Sequence, residues 1–167
     1  SNTLRYRNLS LSFLIDVRYG GVMYSGTVSD LRVNGMAEET IGKNRTDIVD
    51  KGVKQDGTEN TTAITPYQFW SNNYSSKVSE ANVFDATFVK LREMVLSYQM
   101  PQRWFKNCFI GSLALGVEGR NLWLMKSNVP HIDPETNIFG PSAVGSGVEY
   151  SAIPTTRSWG FNIKLTF

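Results

Sequence analysis

From Trp159 to the end of the chain the odd positions read Trp, Phe, Ile, Leu, Phe, while the even positions from Ser158 read Ser, Gly, Asn, Lys, Thr. The alternation has no exception. Side chains that alternate at period two lie on opposite faces of a β-strand, so this run needs an apolar environment on one side and a wet one on the other. Three further segments carry the same pattern. In residues 8–19, Leu9, Leu11, Phe13, Ile15, Val17 and Tyr19 share one face, with Leu14 as the misfit. In residues 109–126, Leu113, Leu115, Val117, Trp123 and Met125 oppose Ser112, Gly116, Glu118 and Arg120, and Leu122 and Leu124 blur the far end. In residues 86–100 the pattern holds from Met94 to Met100, but Val89 and Leu91 have the wrong parity. One extra residue between Lys90 and Glu93, a β-bulge, restores the phase.

The connections are unequal. Residues 101–107 make a short turn, whereas residues 21–85 and 127–156 are long and polar, the second rich in Pro, Gly, Ser and Asn. Antiparallel strands in chain order put both long loops at one end of the sheet and the short turn at the other. Outer-membrane barrels have this asymmetry, with long extracellular loops and short periplasmic turns. Within the first loop, Thr65-Pro66 starts a short helix over about 65–74, since Pro suits the first helical position.

Each pattern runs about ten residues or more, enough to cross a hydrocarbon layer at a tilt, whereas soluble strands usually run about five or six. Aromatic residues gather at the pattern ends: Tyr19, Phe88, Trp123 and Trp159 toward the long loops, and Tyr98, Trp104, Phe105, Phe109 and Phe167 toward the short turn. Such rings sit at membrane interfaces. The competing reading is a soluble β-sandwich, a carbohydrate- or protein-binding module whose apolar face packs on a second sheet. Four strands with loops this long bury too little for a complete sandwich, which favours membership of a larger closed sheet.

Composition closes other routes. A net charge of +2 without a dense basic run argues against nucleic-acid binding. No apolar stretch is long enough for a transmembrane helix, which says nothing of transmembrane strands. His131 is the only histidine and Cys108 the only cysteine, so neither a histidine-rich metal site nor an internal disulfide can be built. No nucleophile motif or acid–base pair appears, so an enzyme is not expected, and neither is a cofactor. The N-terminus has no basic-then-apolar leader; export implies a signal upstream, with Ser1 not the start of the protein and Phe167 its end.

Read in order, the stretches 8–16, 83–93, 96–101, 117–123 (Val-Glu-Gly-Arg-Asn-Leu-Trp), 133–135 (Asp-Pro-Glu) and 154–161 with the closing Phe167 resemble SusC/RagA-type TonB-dependent outer-membrane transporters of Bacteroidetes. The match spans nearly the whole chain and weakens only over about 23–59. The resemblance implies an all-β fold: the C-terminal strands of a large antiparallel outer-membrane β-barrel, 22-stranded in the family and filled by a plug domain that this chain lacks. Residues 1–167 are then one barrel portion of a nutrient importer, in the bacterial outer membrane and in contact with its lipid. Its implied partners are TonB, a SusD-like lipoprotein lid and a glycan or peptide substrate. Phe167 resembles the terminal aromatic by which barrels are recognised for assembly; one more lipid-facing ring is the plainer reading.

Tyr67, Phe69 and Trp70 are the candidate contacts for substrate or lid, being aromatic surfaces suited to stacking on a sugar. Packing within the loop is the competing role. The charged residues Asp16, Arg18, Lys90, Glu93, Glu118, Arg120 and Lys164, mostly on the polar strand faces, line a wet lumen that contacts plug or substrate, with mutual compensation as their simplest purpose. Asp133 to Asn137 faintly resembles a calcium loop, but the ligand order is wrong and an Asp-Pro turn reads better. The glycine spacing in 140–147 lacks the Lys of a phosphate loop, and the triplet 44–46 is a glycosylation acceptor only in a eukaryotic secreted protein.

Overall fold

The computed structural model describes residues 1–40, 47–75, 78–106, 109–140 and 147–167. Cys108, the triplet 44–46 and most of the glycine-spaced stretch 140–147 lie outside the described residues. The described chain is mainly β-strand with two short helices. It divides into a sheet unit (Ser1–Tyr19, Thr87–Ser127, Thr155–Phe167) and a loop unit (Gly20–Ala86, Asn128–Pro154).

In the sheet unit, β1 (Asn2–Tyr6) and β2 (Leu9–Arg18) form a hairpin. In the loop unit, β3 (Val22–Ser25) is followed by helix α1 (Gly26–Val33), the two-stranded pair β4 (Ile48–Val49) and β5 (Ala63–Ile64), the short helix α2 (Pro66–Gln68) and β6 (Val83–Asp85). The chain then returns to the sheet in β7 (Phe88–Gln99) and β8 (Ser112–Ser127). After β9 (Val148–Glu149) it ends in β10 (Ser158–Thr166).

The five-stranded sheet has the order β1-β2-β7-β8-β10, antiparallel throughout. Three strands coincide with expected runs. The 109–126 run starts as strand only at Ser112 and continues to Ser127. Strand β1 was not expected. It is joined to β2 by the two-residue turn Arg7-Asn8, where Arg7 adopts φ 52°, a region few residues other than glycine visit. Asn8 ties that turn down by donating from Nδ2 to the Gln99 carbonyl at 2.7 Å.

The bulge falls inside the expected window. Leu14 pairs with Glu93 but Ile15 pairs with Leu91, leaving Arg92 as the extra residue. β8 carries matching irregularities opposite the same stretch. Val89 and Leu91 thereby join the face of Ile15 and Val17. The same phase change moves Phe88 to the opposite face, where it is buried. The expectation that Phe88 belongs to an outer aromatic girdle is therefore corrected, because the bulge reverses its direction.

The register aligns residues of like character across the strands. Leu4, Leu11, Leu96, Val117 and Phe161 form one cross-strand row, and Tyr6, Leu9, Tyr98, Leu115 and Ile163 the next. On the other face Arg5, Ser10, Ser97, Gly116 and Asn162 line up. Gly116 lies under the Asn162 side chain and Gly119 under the Trp159 ring, where a Cβ would stand 2.3 and 3.0 Å from them respectively.

The loop unit has a core of its own. Met23, Ala86 and Val129 are buried, with Phe84 and Ile132 packed against them. β3 is the middle strand of a three-stranded sheet, antiparallel to β6 and parallel to β9. The expected helix near Thr65 forms as α2, closed by a Thr65–Gln68 capping box with Pro66 in the first turn. A π-helical segment, Phe69–Ser75, continues it. Helix α1 was not foreseen; Ser25 caps it, its hydroxyl accepting from Val28 N at 3.1 Å.

Candidate functional site

Two surfaces carry chemistry, one in each unit. The first is the apolar face of the sheet. Its side chains are not covered: Phe161 is 86% exposed, Ile163 67% and Leu4 61%. With strands ~4.8 Å apart and ~3.3 Å per residue, the rows from Trp159 to Leu165 and the continuation past the bulge cover roughly 700 Å². Soluble monomers seldom expose an apolar patch larger than about 300–600 Å². Exposed rings stand at both ends of this face: Tyr19 and Trp123 near the ends where the long excursions leave, Trp104, Phe109 and Phe167 near the short turns.

The opposite face is polar and ionic. Arg92, the bulge residue, pairs with Asp16 and also donates to the Asn121 side chain at 3.4 Å. Asn121, itself at φ 51°, donates to the Thr156 carbonyl at 3.1 Å. Lys90 is buried and donates to the Thr155 hydroxyl at 2.8 Å. Arg120 approaches Glu118 at 4.0 Å. The charges compensate one another, and two of the hydrogen bonds hold the 155–156 segment against the strands. Arg92, Lys90 and Asn121 on this face each donate to an acceptor of another segment, and the exposed cations are left to water.

The second surface belongs to the loop unit and is organised by Arg32, in the last turn of α1. Its Nε donates to Glu39 Oε1 at 2.5 Å, and one Nη donates to the Ala81 carbonyl (2.7 Å) and to Asn82 Oδ1 (3.0 Å). The guanidinium lies 4.7 Å from the centre of the Trp70 ring and 5.3 Å from that of Phe84. His131 Nε2 meets the second oxygen of Glu39 at 2.8 Å. Burial raises the Glu39 carboxyl, but hydrogen bonds from Arg32, the backbone and His131 outweigh it, and its pKa falls to about 2. Glu39 is thus a carboxylate held between two nitrogen donors.

A second polar node lies at the start of the same helix. Glu149, 1% exposed, accepts from Ser25 Oγ and Thr27 Oγ1, each at 2.6 Å, and from Ala152 N at 3.2 Å. Gly26 is required here by close approach, since a Cβ would stand 2.2 Å from the Tyr150 ring.

Of the aromatic residues singled out from sequence, Tyr67 is 63% exposed. Phe69 and Trp70 are half-buried and meet edge to face, 5.0 Å between centroids at 89°. Trp70 has one side occupied by Arg32, so the three do not form one open stacking platform. Phe167 stacks on Phe109, 5.7 Å apart and 5° from parallel. Residues 133–136 form the expected turn: the Asp133 carboxylate accepts from Glu135 N and its carbonyl from the Thr136 hydroxyl. No cluster of metal-ligating side chains exists among the described residues. The Arg32 and Glu149 nodes had no local signature, because their partners are far apart in the chain.

No protein-family model matches the chain. TonB-dependent receptor P3 of Formosa agariphila is 23% identical over 171 residues, covering 100% of this chain and 16% of the receptor. TonB-dependent receptor P26 of the same organism is 25% identical over 169 residues, covering 99% of this chain and again 16% of the relative. The RagAB peptide importer in its open-open state superposes with a TM-score of 0.59 at 17% identity over 97% of this chain, and the RagAB peptide transporter with 0.61 at 19% over 98%. In both cases 16% of the larger chain is covered. Those relatives are receptors and importers, not enzymes. Over nearly its whole length the chain is similar in sequence to TonB-dependent receptors, of which it spans 16% of the length, and it shares its fold with a segment of the RagAB transporter.

Proposed function

We propose that the chain forms barrel wall and extracellular loops of an outer-membrane, TonB-dependent nutrient importer. The observation that supports this most is the pair of unlike sheet faces, one with exposed apolar rows and the other ionic and hydrogen-bonded. Lipid suits the first face and a wet lumen the second. Both outer strands of the sheet, β1 and β10, have one unpaired edge among the described residues. An open edge in a bilayer leaves backbone groups without partners, so the proposal includes closure by further strands.

Residues 1–167 are then one barrel portion, with 21–85 and 127–156 as extracellular loops and no plug. The cargo is a peptide or a glycan; the likeness to the RagAB peptide importer favours the peptide. A SusD-like lipoprotein outside and TonB inside the periplasm complete the machine. Tyr67, exposed in α2, is the residue proposed to meet cargo or lid, and Phe69 and Trp70, which pack on each other, contribute their half-buried rings.

The test is expression with and without detergent. Aggregation in buffer and a cooperative β-sheet signal in detergent or lipid are expected. A monomeric species that melts cooperatively in plain buffer would overturn the membrane reading in favour of a soluble binding module.

A further inference from the structure

The polar face of the sheet holds a concavity near the short turns. It encloses about 290 Å³ and is lined chiefly by Arg5, Arg7, Ser10, Ser97, Gln99 and Ala114. Arg5, Ser10 and Ser97 are successive members of one cross-strand row, and Gln99 and Ala114 belong to the next. Paired residues of neighbouring strands stand about 5 Å apart. A group bound between Ser10 and Ser97 therefore lies within reach of both hydroxyls and of the Arg5 guanidinium.

The donors of this pocket are unused. Among the described residues neither hydroxyl makes a side-chain hydrogen bond, and neither arginine pairs with a carboxylate. Arg7 lies over the Tyr6 ring at 5.3 Å, a contact that leaves the N–H edge of its guanidinium open. No acidic residue lines the pocket. Glu118, in the adjoining row on β8, turns the other way: its Oε1 is 4.0 Å from Arg120, and its side chain lies over Gly160 of β10. The Phe167 α-carboxylate follows β10, which is ~19 Å from β1 at the usual strand spacing. That separation exceeds the screening length of about 8 Å in physiological salt. Lys164, opposite Ala114, adds positive charge to the same face.

We propose that this pocket binds a carboxylate carried by a peptide, held by the Arg5 and Arg7 guanidinium groups and the Ser10 and Ser97 hydroxyls. Charge complementarity selects the occupant. Guanidinium forks and hydroxyls are donors, and an ionised carboxylate is an acceptor only, so the two sets match. A neutral sugar would gain nothing from either cation. The inference rests on the importer reading above for the supply of peptide, and adds that the peptide is acidic.

The experiment titrates the full-length protein in detergent, by calorimetry, with a short end-capped peptide containing glutamates or with its glutamine counterpart. The glutamate peptide should bind roughly tenfold more tightly. Its advantage should shrink as NaCl rises from about 50 to about 500 mM. The variant Arg5→Gln/Arg7→Gln should weaken glutamate-peptide binding by roughly tenfold. Ser10→Ala/Ser97→Ala should weaken it by roughly fivefold, a loss that diffuse surface charge does not produce. Lys126→Gln removes a cation at the other end of the sheet and should change nothing. Equal affinity for the two peptides, or an equal loss with Lys126→Gln, overturns the proposal and leaves the importer reading standing. Inorganic phosphate that displaces the glutamate peptide at equal concentration overturns the carboxylate assignment. Binding of neither peptide overturns the proposal and the peptide cargo together. The salt series and the two-peptide comparison on the unaltered protein decide the matter even where a variant fails to fold.

Discussion

In the sheet unit Phe161, Ile163 and Phe167 stand exposed, whereas in the loop unit Met23 and Val129 are buried, along with the carboxylate of Glu149. The sheet has long ladders and almost no interior: Phe88 and Leu122 are its large buried apolar residues, both near one end. The loop unit has short strands, yet it takes both apolar and ionic groups out of water. The difference shows what each unit depends on. The sheet's apolar face is stabilised only when its surroundings supply an apolar phase, while the loop unit supplies its own.

That contrast can be broken most strongly at the loop core. Met23→Ala should destabilise the loop unit by about 3–4 kcal/mol, seen as faster hydrogen exchange in β3 and β6 while β7 and β8 keep their protection. A comparable loss across β7 and β8 would mean that the two units melt as one. The sheet's half of the contrast is tested by neighbouring residues on opposite faces. Leu96→Arg should cost about 3 kcal/mol of folding into lipid, and Ser97→Arg much less, in a lipid-vesicle refolding titration. Equal costs would remove the distinction between the faces.

Glu149→Gln retains an acceptor but removes the charge that two hydroxyls and an amide serve, and should cost about 2 kcal/mol. The loss should appear as looser packing of α1, read by protease sensitivity. The smallest effect concerns acid. Because Glu39 titrates near pH 2 when folded and near 4.5 otherwise, its contribution is complete above about pH 4.5 and disappears as pH falls toward 2. Trp70 fluorescence, next to Arg32, should therefore change in that window, and Glu39→Gln should abolish the change.

Much of the sheet was legible in the sequence because period-two alternation is a local signal, and the bulge was legible as a break in its phase. Strand β1 escaped because only Leu4 and Tyr6 are apolar in its five residues, too few to establish a period. Phe88 was misassigned because the girdle was read from position along the strand alone, whereas the phase break between Lys90 and Glu93 already turns Phe88 to the opposite face. Helix α1 is rich in polar and β-branched residues and has no strong apolar stripe, so its helicity comes from the Ser25 cap and tertiary contacts rather than propensity. The polar nodes were invisible for a different reason. Ser25 and Glu149 are 124 positions apart, and no short-range pattern joins them.

The pairing of β3 with β6 bears on the order of events in folding. Joining β2 to β7 directly means closing an excursion from about residue 19 to 87, an entropic cost of roughly 4 kcal/mol by chain statistics. The pairs Val22↔Asp85 and Met23↔Phe84, with Ala86 N bonded to the Gly21 carbonyl at 3.0 Å, bring the two ends of that excursion together within the loop unit itself. Once that small unit has formed, Arg18 and Phe88 are separated by a few residues of effective chain, and the β2–β7 ladder zips from that end in a register already chosen. Slowing formation of the loop unit should therefore delay β2–β7 pairing, far from any residue that was changed.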